Sequence, residues 1–132
     1  MFNPDINDYQ LTSIITECCG GVAVVYSALY KPNNQNVAIK RYFVDKTKEN
    51  ASLIQELYVV SPLMTFGSCR DILDRYFQEG LPELACALVL RDVLQALQYL
   101  HKQLYIHRSV RASHVLVGAN GGVRLSGLRS AL

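Results

Sequence analysis

Two stretches of the chain concentrate side chains able to do chemistry. Val37-Ala38-Ile39-Lys40 ends an apolar, strand-forming run on a lysine. Ile106 to Leu116 (IHRSVRASHVL) gathers two histidines, two arginines and two serines with no carboxylate among them. Lys40 and Arg111 are charges that could meet phosphate oxygens directly, and the second stretch has no Asp or Asn to hold a metal ion between such charges. A lysine on a strand is most often simply solvated, so Lys40 by itself decides nothing. The four cysteines, at 18, 19, 69 and 86, and the remaining histidine, His101, show neither Cys-x-x-Cys nor His-x-x-x-His spacing, so no metal site is expected. Free thiols of a reducing compartment fit that usage.

The elements that must position these residues can be read from pattern. Of 132 residues half are apolar and 18% charged, a composition that buries a core. Thirteen Lys and Arg against eleven Asp and Glu leave a formal charge of +2 with no like-charged block, so neither nucleic acid nor an anionic membrane is an expected partner. The N-terminal residues lack the order of a signal peptide, and no apolar run reaches the length of a membrane span; a soluble intracellular protein is the expectation. Leu11 to Thr16, Val22 to Tyr30 and Asn36 to Phe43 are rich in Val, Ile, Tyr and Thr and predict three strands of an antiparallel meander. Lys46 to Glu56 reads as helix-like, and Leu57 to Met64 as a short buried strand entering a linker. Ser68 is a plausible N-cap for a helix over Cys69 to Phe77. Leu90, Val93, Leu94, Leu97 and Leu100 form a helical stripe within Glu83 to about Lys102. Tyr105 to Leu116 and Val123 to Leu128 read as short strands about a Gly118 to Gly122 turn. The fold class is α+β.

The order of motifs resembles that of protein kinases. Their Val-Ala-Ile-Lys strand sets its Lys on the ATP phosphates, held by a Glu from the next helix, and their catalytic loop reads His-Arg-Asp-Leu-x-x-x-Asn. Here Lys40 has a glycine-bearing turn before it and Glu56 after it. In the loop after the long helix, Ser109 stands where the Asp base belongs and His114 where Asn holds a metal. Leu125-Ser-Gly-Leu-Arg129 takes the place of Asp-Phe-Gly, with Gly127 at the Mg-binding position. No catalytic residue is expected, the degenerate positions being Ser109, His114 and Gly127, and no metal ligand remains.

HRSVRASHVL together with LSGLRS resembles the STE20-related adaptor pseudokinases, and Val59-Val-Ser-Pro-Leu-Met-Thr-Phe-Gly-Ser68 is similar to that family's fifth strand and hinge. The resemblance implies a protein-kinase-like fold in incomplete form, a small antiparallel β lobe over about 9–64 and the first helices of the α lobe over about 65–132. It implies binding and allosteric activation of a liver-kinase-B-type serine/threonine kinase, together with an armadillo-like scaffold protein. The expected setting is the cytoplasm, extending to the nucleus. It implies ATP as a ligand held without a metal, with Lys40 on phosphate, Ala38 facing adenine, Leu63 and Met64 giving hinge backbone, and Glu56 paired with Lys40.

Departures temper the carry-over. Thr16-Glu-Cys-Cys-Gly-Gly21 is not G-x-G-x-x-G, and Cys18 at a glycine position restricts close approach of backbone to phosphate. Arg111 replaces the catalytic-loop Lys and keeps its charge. Roughly two dozen or more residues of the kinase order are absent at the Glu56–Leu57 junction. The helix should therefore end at Glu56, the sheet should hold four strands instead of five, and Glu56 should sit at a chain corner away from Lys40. The Leu stripe of the long helix should leave apolar area exposed. An adaptor, a truncated or splice-derived fragment with no independent function, and an ATP-binding serine/threonine kinase remain the three readings.

Overall fold

In the computed structural model, which describes residues 1–18, 22–45, 54–128 and 131–132, the chain divides into two units, Met1–Leu63 and Met64–Leu132. The first is a sheet. Strands β1 (Tyr9–Cys18), β2 (Ala23–Tyr30), β3 (Gln35–Asp45) and β4 (Ile54–Pro62) lie in sequence order and pair antiparallel. The meander and the strand count agree with expectation. Register places Ala28 opposite Val37 and Tyr26 opposite Ile39. Val37 and Ala28 are fully buried, with Ile39 and Tyr30 nearly so, and Phe2, Tyr9, Tyr26 and Val60 pack around them. The Tyr30 ring meets Phe2 edge-on at 5.4 Å and Tyr9 at 5.1 Å. Burying each such aliphatic side chain is worth about 1.5–3 kcal/mol, so one sheet face supplies this unit's core.

Two sequence expectations fail in this unit. Of the helix-like segment, residues 46–53 lie outside the described residues, whereas Ile54, Gln55 and Glu56 already belong to β4. Glu56 is thus neither at the end of a helix nor at a chain corner: it pairs with Phe43 inside the ladder. β3 runs on to Asp45, which gives the earlier residues of β4 a partner, and Tyr58, Val59 and Val60 favour the pleated surface. Nor is β4 buried. Leu57, Tyr58 and Val59 are 55%, 40% and 47% exposed, because β4 has a neighbour on only one side.

The second unit is built on helix α2 (Glu83–Lys102), preceded by α1 (Cys69–Tyr76) and followed by the hairpin of β5 (Val115–Val117) and β6 (Val123–Leu125). Val89, Val93 and Leu97, four residues apart, turn toward Cys69, Val115, Val117, Val123 and Leu125. The other side of α2 presents Leu84, Leu88, Leu90 and Leu94 to solvent, the exposed apolar area that the stripe implied. None of the described helices is long and apolar enough to cross a membrane. The strand expected over Tyr105 to Leu116 shrinks to its last residues; 105–111 is irregular, and Ala112–His114 forms a 3-10 turn. Cys69 and Cys86 are free thiols; burial, then the neighbouring Cys86, pushes the Cys69 thiol up.

Ser68 caps α1 as expected. Its Oγ accepts from Asp71 N at 3.1 Å, while its N–H and O–H both donate to Asp71 Oδ2, at 2.8 and 2.6 Å. This reciprocal box holds the Asp71 carboxyl below its ordinary value of 3.8, the Ser68 hydroxyl being the main cause and its backbone N–H the next. A depressed carboxyl stabilises the fold above its unfolded value, and that contribution is lost as pH falls through the folded one. Ser68→Ala should lower stability by about 1 kcal/mol near neutral pH. The gap between variant and wild type should narrow as the pH drops below 3.8. Urea melts at pH 7 and pH 3 check both statements; a gap that is equal at the two values contradicts them.

Candidate functional site

Alternation along β3 sends Val37, Ile39, Arg41 and Phe43 to one face and Ala38, Lys40 and Tyr42 to the other. Lys40 is half-buried, with Nζ 5.0 Å from the Tyr42 ring centroid, a cation–π approach. Across the ladder it faces Val59, and Ala38 faces Ser61. Glu56, opposite Phe43, stands on the other face of the sheet, where the Tyr58 hydroxyl donates to its Oε2. That hydrogen bond, helped by burial, raises the Tyr58 phenol; Arg41 opposes the shift. The Arg41 guanidinium lies 5.3 Å from the Tyr26 ring and 4.7 Å from Phe43. The Lys40–Glu56 pair that the family resemblance implied is therefore not formed, and Glu56 lies away from Lys40 as the junction led one to expect, though within a strand. Arg70 pairs with Asp74 and Arg91 with Asp92, each within a helix. Strand register, not distance along the chain, separates Lys40 from Glu56.

The hinge residues divide between the units. Leu63 N–H donates to Asn36 O at 3.4 Å, closing the sheet, while Met64 O accepts from Gly67 N at 3.0 Å ahead of α1. At the glycine-bearing turn, Cys18 pairs with Ala23 at the end of β1, and Gly20 and Gly21 lie outside the described residues.

The second unit brings the three degenerate positions together. His107 is 1% exposed. Its Nδ1 accepts from Ser109 N at 3.2 Å, so Nε2 carries the proton and donates to Ser126 O at 2.7 Å. His114 takes the opposite tautomer. Its Nδ1–H donates to Ser109 O at 2.7 Å, with Ser109 Oγ at 3.3 Å, and its Nε2 accepts from Arg111 Nη2 at 3.2 Å. Ser126 closes the set, its N–H and hydroxyl both donating to His114 O, at 2.7 and 3.0 Å. Antiparallel hydrogen bonds between Ile106 and Leu132 steady the loop's start.

Sequence reasoning found Ser109, Arg111, His114 and Gly127, but missed His107 as a buried tie and Ser126 as its partner. The signal for Ser126 was its place just before the glycine, since a residue there must offer backbone to whatever sits beneath. Chemically, this loop holds itself together: both ring nitrogens of His107 and of His114 are engaged, by serine, arginine and backbone groups. Among the described residues no cluster of three His, Cys, Asp or Glu side chains could bind a metal ion.

A family model described as protein tyrosine and serine/threonine kinase matches residues 49–129, more than half of the chain. The chain belongs to that kinase family. Within the family, this chain is 36% identical to STE20-related kinase adapter protein alpha of Gallus gallus and 34% identical to the same protein of Homo sapiens. Both alignments cover 99% of the chain, and 40% and 36% of the relatives. Over 54% of the chain it is 44% identical to STE20-related kinase adapter protein beta of Homo sapiens. The likeness to STE20-related adaptor pseudokinases and the partial kinase-like fold are thus borne out. The kinase-family chain spans about two-fifths of the length of these alpha relatives. Their alignments run over 157 positions against a chain of 132, which leaves at least 25 of each relative's residues without a counterpart.

Proposed function

We propose that this kinase-family chain serves as a pseudokinase adaptor that binds a serine/threonine kinase of the liver-kinase-B type, together with an armadillo-like scaffold, and activates it allosterically in the cytoplasm. The observation that supports this reading most is the state of the loop. Ser109 and His114, at the base and metal positions, are bonded to one another, and His114 also to Arg111, so these polar groups are spent on maintaining a shape. The similarity to proteins named kinase adapters points the same way. ATP is the ligand this reading assigns, held without a metal, with Lys40 on phosphate, Ala38 against adenine and Leu63 and Met64 as hinge backbone. Glu56 drops out of that set, since it faces the other side of the sheet from Lys40.

The test is reconstitution. Purified chain added to a liver-kinase-B-type kinase and an armadillo-like scaffold should co-precipitate with them. It should also raise phosphorylation of a peptide substrate in proportion to the chain added. Absence of both capture and stimulation would favour a fragment with no independent function.

A further inference from the structure

Gly127 has φ of +85°, and a Cβ built on it would lie 2.3 Å from His114 Nδ1 and 2.7 Å from both Cε1 and Cγ. Carbon atoms do not approach a ring so closely, so one of the two must yield. The ring is poorly placed to do so. Its Nδ1–H is committed to Ser109 O, its Nε2 to Arg111, and the carbonyl of its own residue to the N–H and hydroxyl of Ser126. The turn at 126–127 is equally constrained, because Ser126 O accepts from the buried His107. Two backbone segments far apart in sequence are therefore pinned from both sides, with the His114 imidazole filling the volume of a side chain at 127.

We propose that His114 and Gly127 form a steric lock in which an imidazole at 114 and any side chain at 127 exclude each other. His114 is then a positioning residue, tying the loop at Ser109 to the turn at Ser126. Gly127 is the residue that admits it. The two replaced metal-ligand positions amount to one coupled change: an acidic side chain cannot return to 127 while the ring is present. This extends beyond the adaptor reading and does not depend on it, since the lock needs no partner kinase.

The full chain with Gly127→Ala, His114→Gly and the double substitution forms a cycle that reads the coupling. Backbone strain from a side chain at positive φ is present in both backgrounds and cancels. Gly127→Ala should lower Tm by at least ~5 °C in the wild-type background. That loss should shrink by half or more once His114 is glycine. Ring 15N–1H spectra give a second readout: Gly127→Ala should abolish the Nδ1-protonated signature of His114 while leaving the Nε2-protonated His107 unchanged. Should Gly127→Ala fail to fold, a double variant that folds supports the lock and one that does not overturns it. Equal Tm losses in the two backgrounds, or an unaltered His114 ring signature, would also overturn it.

Discussion

His107→Ala should unfold the second unit at a temperature ~12 °C or more below that of the wild type. The ring is among the largest fully buried side chains described, and both of its nitrogens are bonded, to Ser109 N and Ser126 O. Truncation to alanine leaves a cavity and two half-buried backbone groups without their ring partner, for a combined cost of about 3 kcal/mol. In a domain of this size each kcal/mol lowers Tm by roughly 4–8 °C. His107→Phe separates the two contributions, since it refills the volume but restores neither hydrogen bond; it should recover part of the loss. Thermal melts followed by far-UV circular dichroism decide the matter. An alanine variant melting within a few degrees of the wild type would mean that the buried ring does not tie loop to turn.

Phosphoryl transfer should be absent. With radiolabelled ATP and Mg or Mn, incorporation into the chain or a peptide should equal that of a Lys40→Ala control. A serine hydroxyl at 109 cannot serve as the base, a role worth about 10²–10⁴ in rate. The metal ions that would spread phosphate charge have lost both side-chain positions, 114 and 127. Restoring one piece should not help: Ser109→Asp places a carboxylate in the loop, yet His114 and Gly127 still offer no metal ligand. Lys40-dependent labelling in either protein would refute this account.

Much of the fold was legible because it rests on local pattern. Val, Ile, Tyr and Thr marked β1 to β3, Ser68 announced α1 three residues ahead of Asp71, and the leucine stripe delimited α2. What was misread depended on partners distant in sequence. Ile54 to Glu56 follow a Lys- and Glu-rich stretch that suits a helix, and only the extension of β3 to Asp45 recruits them into a strand. Tyr105 and Ile106 look like a strand by composition, but Tyr105 N–H turns back to Leu100 O at the helix end and Ile106 exchanges hydrogen bonds with Leu132, outside any strand. The site was legible in its identities and opaque in its contacts. Ser109, His114 and Gly127 could be aligned to known motifs, whereas the meeting of His114 with Gly127 is produced by the β5–β6 hairpin, which no periodicity reveals.

The sequential order of the sheet bears on how it assembles. Each strand's partner is its neighbour along the chain, so the sheet can close as a series of hairpins with no crossover, a topology of short-range contacts that folds quickly. Lys31 to Asn34 make the tightest of the connections between β2, β3 and β4, with Asn34 at φ +55°. The link from β3 to β4, residues 46–53, is twice as long. Doubling a loop adds only about 0.6 kcal/mol of closure entropy. Even a link roughly four times as long would add only about 1.2 kcal/mol, two doublings. The β3–β4 pairing is thus almost indifferent to what connects it, and a family can lengthen or shorten that link while the ladder from Val37 to Pro62 stays in register.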